Sequence, residues 1–400
     1  MGRRRPIDLV VPGSSLAEVV APYAAATGPA TVSLASGSDR LVARYDGTAA
    51  WLEVTTAGRT TRHRSRRYAR PDGPASEVGL TLTGTHATVL TRGPGPWTAR
   101  GRVDLRGRLD TRSEEWLAAL SADAPVAGRF GQLGLRDIRL VSGVPDGRTV
   151  LSATSAGPGF FDTAHTSLWE LDRTTLGLTH LSDLFFRRAD RPGVYGDHAT
   201  HVLRDREGWL VATSTWGDFD RRRPAVGVTL ARTTADLLSG VHLLDTVPLD
   251  LPVDGLRSVG TWDPHLVDTA DGWLVGFVSA TKFFRFHPVL AAGPTLDALS
   301  LRGAATGLTQ TEGTTVAQLG GSWQVLASDG KARRYPVFDL AMAETGTLRA
   351  PYPSNIPWPT LVPDGDDLLL VGFNGRRAGG PLPGYGTHGD VVFARSVRSG

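Results

Sequence analysis

Thr261-Trp262-Asp263-Pro264-His265-Leu266-Val267-Asp268-Thr269-Ala270-Asp271-Gly272-Trp273-Leu274-Val275-Gly276-Phe277 is the stretch from which the fold can be read. It has the form of two short strands around an Asp-Gly turn, with alternating apolar residues before the turn and a β-rich run after it. The chain writes this unit five times. Around their turns the other copies are Arg136-Asp137-Ile138-Arg139-Leu140-Val141 with Asp146-Gly147, and Asp197-His198-Ala199-Thr200-His201-Val202 with Glu207-Gly208. Thr311-Glu312-Gly313-Thr314-Thr315-Val316 with Gly320-Gly321 and Pro357-Trp358-Pro359-Thr360-Leu361-Val362 with Asp364-Gly365 follow. A third strand recurs behind each turn, at His165–Trp169, Val226–Ala231, His287–Ala291, Tyr335–Asp339 and His388–Ala394. Three such strands and a less patterned fourth make a propeller blade, and blades set in a ring leave no long exposed edge. The fold class expected is all-β, a five-bladed β-propeller over 128–400. The last copy has no fourth strand of its own after Arg395, so an N-terminal segment is expected to complete it.

Residues 1–127 lack the repeat. Strand-like runs such as Leu41–Tyr45 and Ala50–Val54, joined by Asp46-Gly47, predict a small β-sandwich or β-rich cap. Ser14–Ala21 and Ser113–Leu120 read as short capped helices. With 48 glycines and 26 prolines in 400 residues, composition agrees with a turn-rich β protein large enough for a full core. The net charge of +3 implies no acidic partner, and the arginine runs at 3–5, 62–67 and 221–223 lack the interleaved aromatics of a nucleic-acid site. No run approaches membrane-spanning length, and Pro6–Pro12 is too short and interrupted for a signal-peptide core. The expectation is a cytoplasmic protein with no nucleic-acid or membrane partner. The absence of cysteine excludes disulfides, thiolate metal sites and cysteine nucleophiles.

Aligned by their turns, the copies start on Asp137, His198, Asp263, Glu312 and Trp358. Inner strands of a propeller stand side by side around its axis, so these positions are expected to form a ring at one mouth of the channel. Three carboxylates crowded there would raise one another's pKa, as acid/base sites require.

Asp137 in Leu135-Arg136-Asp137-Ile138, Asp263 in Trp262-Asp263-Pro264 and Glu312 in Thr311-Glu312-Gly313 resemble the three signature carboxylates of the five-bladed glycoside hydrolases. The likeness is to family 43 arabinosidases and xylosidases, whose clan relatives are the invertases and levansucrases of families 32 and 68. It covers roughly 128–400 and departs from the family at Ile138, where a proline is usual, and at Gly196-Asp197-His198-Ala199. The resemblance implies hydrolysis of an arabinofuranoside, xyloside or fructoside, with inversion if family 43 is nearer. It makes Asp137 the base that activates water, Glu312 the acid on the leaving oxygen, and Asp263 the residue that tunes that acid. It also implies that His388 points into the axial channel beside a structural calcium, the one metal site expected, with no cofactor required for the chemistry. His198 and His265 would line the channel, and Trp262, Trp358 and Trp216 are candidate platforms for the carbohydrate. Arg139 and Arg285 are candidates to contact substrate or to neutralise the ring. The competing reading is a propeller that binds carbohydrate without turning it over.

Overall fold

The computed structural model describes residues 1–377, 382 and 388–396. It is an all-β molecule in which a β-sandwich packs against a five-bladed propeller. The sandwich faces a six-stranded sheet against a five-stranded one. Alternating residues such as Leu34, Leu41, Leu52, Leu80 and Val89 fill the space between them. The two expected helices shrink to a 3₁₀ turn at Leu16–Glu18, closed by a Ser15–Glu18 capping box, and one helical turn at Glu114–Ala118 capped by Ser113. The strand Val126–Gln132 straddles the expected boundary at 127/128. It pairs with Asp8–Val10 and Tyr23–Gly28 and so belongs to the sandwich.

Blade one runs from Leu135–Leu140 through Val150–Ser155 and His165–Asp172 to Gly177–Arg188, and blade two from His198–Arg204 through Trp209–Ser214 and Val228–Thr233 to Gly240–Pro248. Their outer strands pair in parallel, Ser182 with Gly240 through Arg188 with Thr246, fusing two blades into one sheet. Blades three and four are separate four-stranded sheets beginning at Thr261–Thr269 and Thr311–Leu319. Blade five takes Thr360–Asp364, Asp367–Arg377 and His388–Arg395 from its own end of the chain and Gly2–Arg4 as its outer strand, with Gly2 opposite Phe393. The ring is thus closed by hydrogen bonds between distant parts of the sequence. No helix among the described residues is long and apolar enough to cross a membrane.

The two bodies are joined by an apolar layer that includes Leu9, Tyr23, Phe130, Phe185 and Val194, and by buried charged groups. Arg129 of the sandwich pairs with Asp183 of blade one, and both side chains are under 10% exposed. Asp183 also accepts from His165 Nε2 at 3.1 Å and His180 Nε2 at 2.9 Å. Burial pushes the Asp183 carboxyl up, but the charge of His180 and the two imidazole hydrogen bonds hold it well below the usual range. Removing one partner of such a pair strands the other charge in the interior. Asp183→Asn is therefore expected to lower unfolding stability by about 3–5 kcal/mol in urea titrations, and the apolar pair Arg129→Met with Asp183→Leu to recover most of it.

Candidate active site

The site is built by one local device repeated in four inner strands. In blade three Trp262 pairs with Val278 and His265 with Gly276, three residues against two, which is a one-residue β-bulge. The same slip occurs between Arg136 and Arg139, between His198 and His201, and between Glu312 and Thr315. The second residue of every bulge has positive φ: Asp137 at 52°, Ala199 at 59°, Asp263 at 58° and Gly313 at 68°. In blade four only glycine fits, since a Cβ on Gly313 would come within 2.4 Å of the Trp358 ring.

This register corrects the expected ring. Asp137 and Asp263 are true equivalents, but His198 and Glu312 stand one position earlier, beside Arg136 and Trp262. The bulge turns residues at both positions toward one mouth of the channel, and the three carboxylates act on one another there. Burial pushes the Glu312 carboxyl up to about 8, and the charge of Asp137 adds to the rise. Asp263 is held well above the usual range by burial and then by the charges of Glu312 and Asp137. Its Oδ2 is buried without a protein partner. Asp137 is also raised by burial, but Arg136 at 3.3 Å, the Thr154 hydroxyl and Arg139 oppose the rise. Its carboxylate is the one of the three on which two arginines act. The Trp262 indole N–H faces Glu312 outside strict hydrogen-bond geometry and favours its charged form.

Below the carboxylates the fourth bulge positions, Arg139, His201, His265 and Thr315, lie about the axis. Arg139 is 1% exposed and crosses from blade one to donate to the Thr315 hydroxyl at 2.7 Å and the Asp263 carbonyl at 3.1 Å. Its guanidinium stacks on Trp358 at 4.4 Å, and burial lowers its pKa only to about 10, so it stays charged. The His201 and His265 rings lie 4.4 Å apart, and their Nδ1 atoms accept the N–H groups of Leu266 at 3.1 Å and Val316 at 3.2 Å. Burial pushes both imidazoles down, His201 to about 3, so each is neutral with its proton on Nε2. A guanidinium and two N–H donors do not fit calcium, which takes oxygen ligands. Among the described residues no group of three His, Asp or Glu side chains is placed to hold a metal ion. The side chain of His388 lies outside the described residues.

Above the carboxylates, the loops that follow the second strands of blades one, two and three close an aromatic rim. They carry Phe161, Trp216 and the pair Phe283-Phe284. Phe161 meets Trp216 at 4.5 Å, Trp216 meets Trp262 at 5.3 Å, and Trp262 stacks on Phe283 at 5.9 Å. The Trp216 turn is pinned by Asp218, which accepts from Arg188 and Arg191, and by Asp197, which accepts the Gly217 N–H at 2.9 Å. A cavity of about 110 Å³ lies inside this rim, with Glu312 in its wall.

No protein-family model matches the chain, and no curated protein matches it in sequence. Among solved structures it is similar to a GH43_1 enzyme from Xanthomonas citri complexed with xylose, at 13% identity over 66% of this chain and 87% of that one, with a TM-score of 0.46. It is similar to the β-xylosidase RS223, at 10% identity over 66% and 92% of the two chains and a TM-score of 0.46. It is also similar to a Penicillium chrysogenum α-L-arabinanase complexed with arabinobiose, at 12% identity over 98% and 96% and a TM-score of 0.39.

The expected site residues divide. Asp137, Asp263, Glu312, Trp262 and Trp216 come together at one mouth. His198 is 2% exposed and its Nδ1 bonds the Gly196 carbonyl at 3.0 Å, so it is a fixed part of the wall. His265 belongs to the axial column. Trp358 is 1% exposed and sandwiched between Arg139 and Gly313, which leaves no face for a sugar. Arg285 is exposed on a hairpin shoulder opposite Lys282 and does not line the cavity.

The raised carboxyl of Glu312 has a cost in stability. The folded state binds its proton more tightly than the unfolded chain, so stability falls as pH rises from the ordinary value of 4.5 toward 8. Glu312→Gln is expected to unfold at higher urea than the native protein at pH 8, by about 1–3 kcal/mol, with the gap closing toward pH 5.

Proposed function

We propose that the chain hydrolyses glycosidic bonds with inversion at the anomeric carbon. The observation that carries this reading is three carboxyls crowded at one mouth, Asp137 and Asp263 buried and Glu312 half-buried, with the Glu312 carboxyl pushed up to about 8. Water attacks the anomeric carbon while Asp137, whose charge Arg136 and Arg139 favour, takes the water's proton. The bond from that carbon to the leaving oxygen breaks, and Glu312 gives its proton to that oxygen. Solvent then carries a proton from Asp137 back to Glu312. The charge of Asp137 adds to the burial that keeps Glu312 protonated, and Asp263, coupled to that acid and with Oδ2 free of protein partners, is placed to orient the sugar. Environments that push the pKa values of two carboxyls apart are what separate acid from base in such a pair. A propeller that only binds carbohydrate has no use for a glutamic acid whose carboxyl is pushed up to about 8. Pentosides and fructosides are the glycones we would test first.

A panel of nitrophenyl glycosides tests the proposal. With the active glycone, Asp137→Asn should lower kcat by about 10³-fold on every leaving group. Glu312→Gln should do so on unactivated leaving groups and much less on nitrophenolate, which departs without a proton. The profile of kcat/KM against pH should fall above about 8 as Glu312 loses its proton. Proton NMR should show the inverted anomer first. No turnover across the panel, or equal loss from Glu312→Gln on both kinds of leaving group, would sink it.

A further inference from the structure

We infer that the aromatic cavity is the leaving-group subsite, and that this chain acts on glycosides whose leaving group is an aromatic or other compact apolar alcohol rather than a second sugar. The inference rests on the proposed hydrolysis, because it takes Glu312 as the acid.

Three observations converge. Of the three carboxylates only Glu312 lines the cavity, so the cavity lies on the side of the site where the leaving oxygen receives its proton. Its walls are Phe161, Trp216, Trp262, Phe286 and the Phe283-Phe284 pair. The polar side chains in it besides Glu312 are Gln310 and Asn355, with the indole N–H of Trp262 turned to Glu312, and the Gln310 amide already donates to the Phe284 carbonyl. A sugar ring brings several hydroxyls that would lose their water there with few partners, whereas an aromatic ring loses nothing polar. At about 110 Å³ the cavity is smaller than the apolar protein cavity of about 150 Å³ that takes benzene, so it holds no more than one compact group.

The third observation is local. Lys282 pairs with Arg285, so Phe283 and Phe284 are the two residues of a hairpin turn, where Asn-Gly and Asp-Gly are favoured. Phe284 takes φ of 66° and is 47% exposed, the one aromatic among the exposed large hydrophobic side chains of the described residues. A bulky side chain in the left-handed region, turned partly to water, works against stability twice. It makes physical sense where the ring covers an apolar guest. Its neighbour Phe283 continues the wall by stacking on Trp262.

Leaving-group acidity must be held fixed in the test, so benzyl and methyl glycosides of the active glycone are compared. Both leave as alcohols of similar acidity once Glu312 has given its proton, which makes their difference a measure of binding. The native protein should favour benzyl over methyl by at least about tenfold in kcat/KM, mostly through KM. Phe284→Asn, which suits positive φ and should fold at least as well, and Phe283→Ala should each reduce that ratio. Benzyl alcohol alone should quench indole fluorescence saturably in the native protein and more weakly in both variants. Turnover with a ratio near one, a disaccharide preferred to the benzyl glycoside, or benzyl alcohol displaced by the free monosaccharide would overturn the inference and leave the hydrolase reading standing. No turnover on any glycoside would overturn both, whether or not benzyl alcohol binds.

Discussion

A one-residue bulge with positive φ, repeated in four inner strands, is the constraint on which the site depends. A regular strand alternates its side chains between the two faces of the sheet, so only every second residue could reach the mouth of the channel. The bulge presents two consecutive positions to the mouth and sends the fourth toward the axis. Thus Arg136 and Asp137 both reach the site from blade one, Trp262 and Asp263 from blade three, and Glu312 from blade four, where Gly313 takes the strained position. Aspartate is among the residues that tolerate the left-handed region, which makes a carboxylate at this position cheap in backbone terms. Ala199 has no such excuse, and its φ of 59° shows that the ring geometry, rather than residue preference, sets the conformation.

Crowding three carboxyls in a site this dry is tolerable only because two cations are built in. Arg136 sits beside Asp137, and Arg139 crosses the axis beneath Asp263, held by Thr315 and flattened on Trp358. A planar guanidinium with fixed partners is a positive charge that cannot leave. The two histidines beside it are committed through Nδ1 to backbone N–H groups of the next blade, so the axial column also fastens blade two to three and three to four.

Much of the fold could be read in the chain, because each blade carries its own turn chemistry. Gly320-Gly321 is a two-residue loop between the paired Leu319 and Ser322, and both glycines have positive φ. The N-terminal strand of blade five was legible only as a missing partner, since Gly2-Arg3-Arg4 has no strand signature and is held by pairing. Within the site, residue types were legible but register was not. A bulge is a backbone event, and sequence alignment by turns cannot see which of two neighbours takes φ above zero. That is why Glu312 was paired with Asp263 when its register partner is Trp262. Trp358 was read as a sugar platform because sequence shows its size and not that Gly313 and Arg139 enclose it. Phe283 and Phe284 did carry a signal: two phenylalanines where a tight turn wants glycine or asparagine.

The molecule offsets what the site costs at a distance from it. Positive φ at Asp137, Ala199, Asp263 and Phe284, together with carboxyls whose pKa burial pushes up, all act against folding. Against them stand interactions that make no contact with the mouth, chiefly the apolar layer and the Arg129–Asp183 pair that bind sandwich to propeller. The Arg188 guanidinium, paired with Asp197 and Asp218, then transmits that rigidity to the Trp216 turn. The sandwich end of the chain therefore holds one wall of the aromatic rim in two ways: by fixing the outer strand of blade one it fixes Arg188, and its Arg112 donates directly to the Gly217 carbonyl of the Trp216 turn at 2.7 Å.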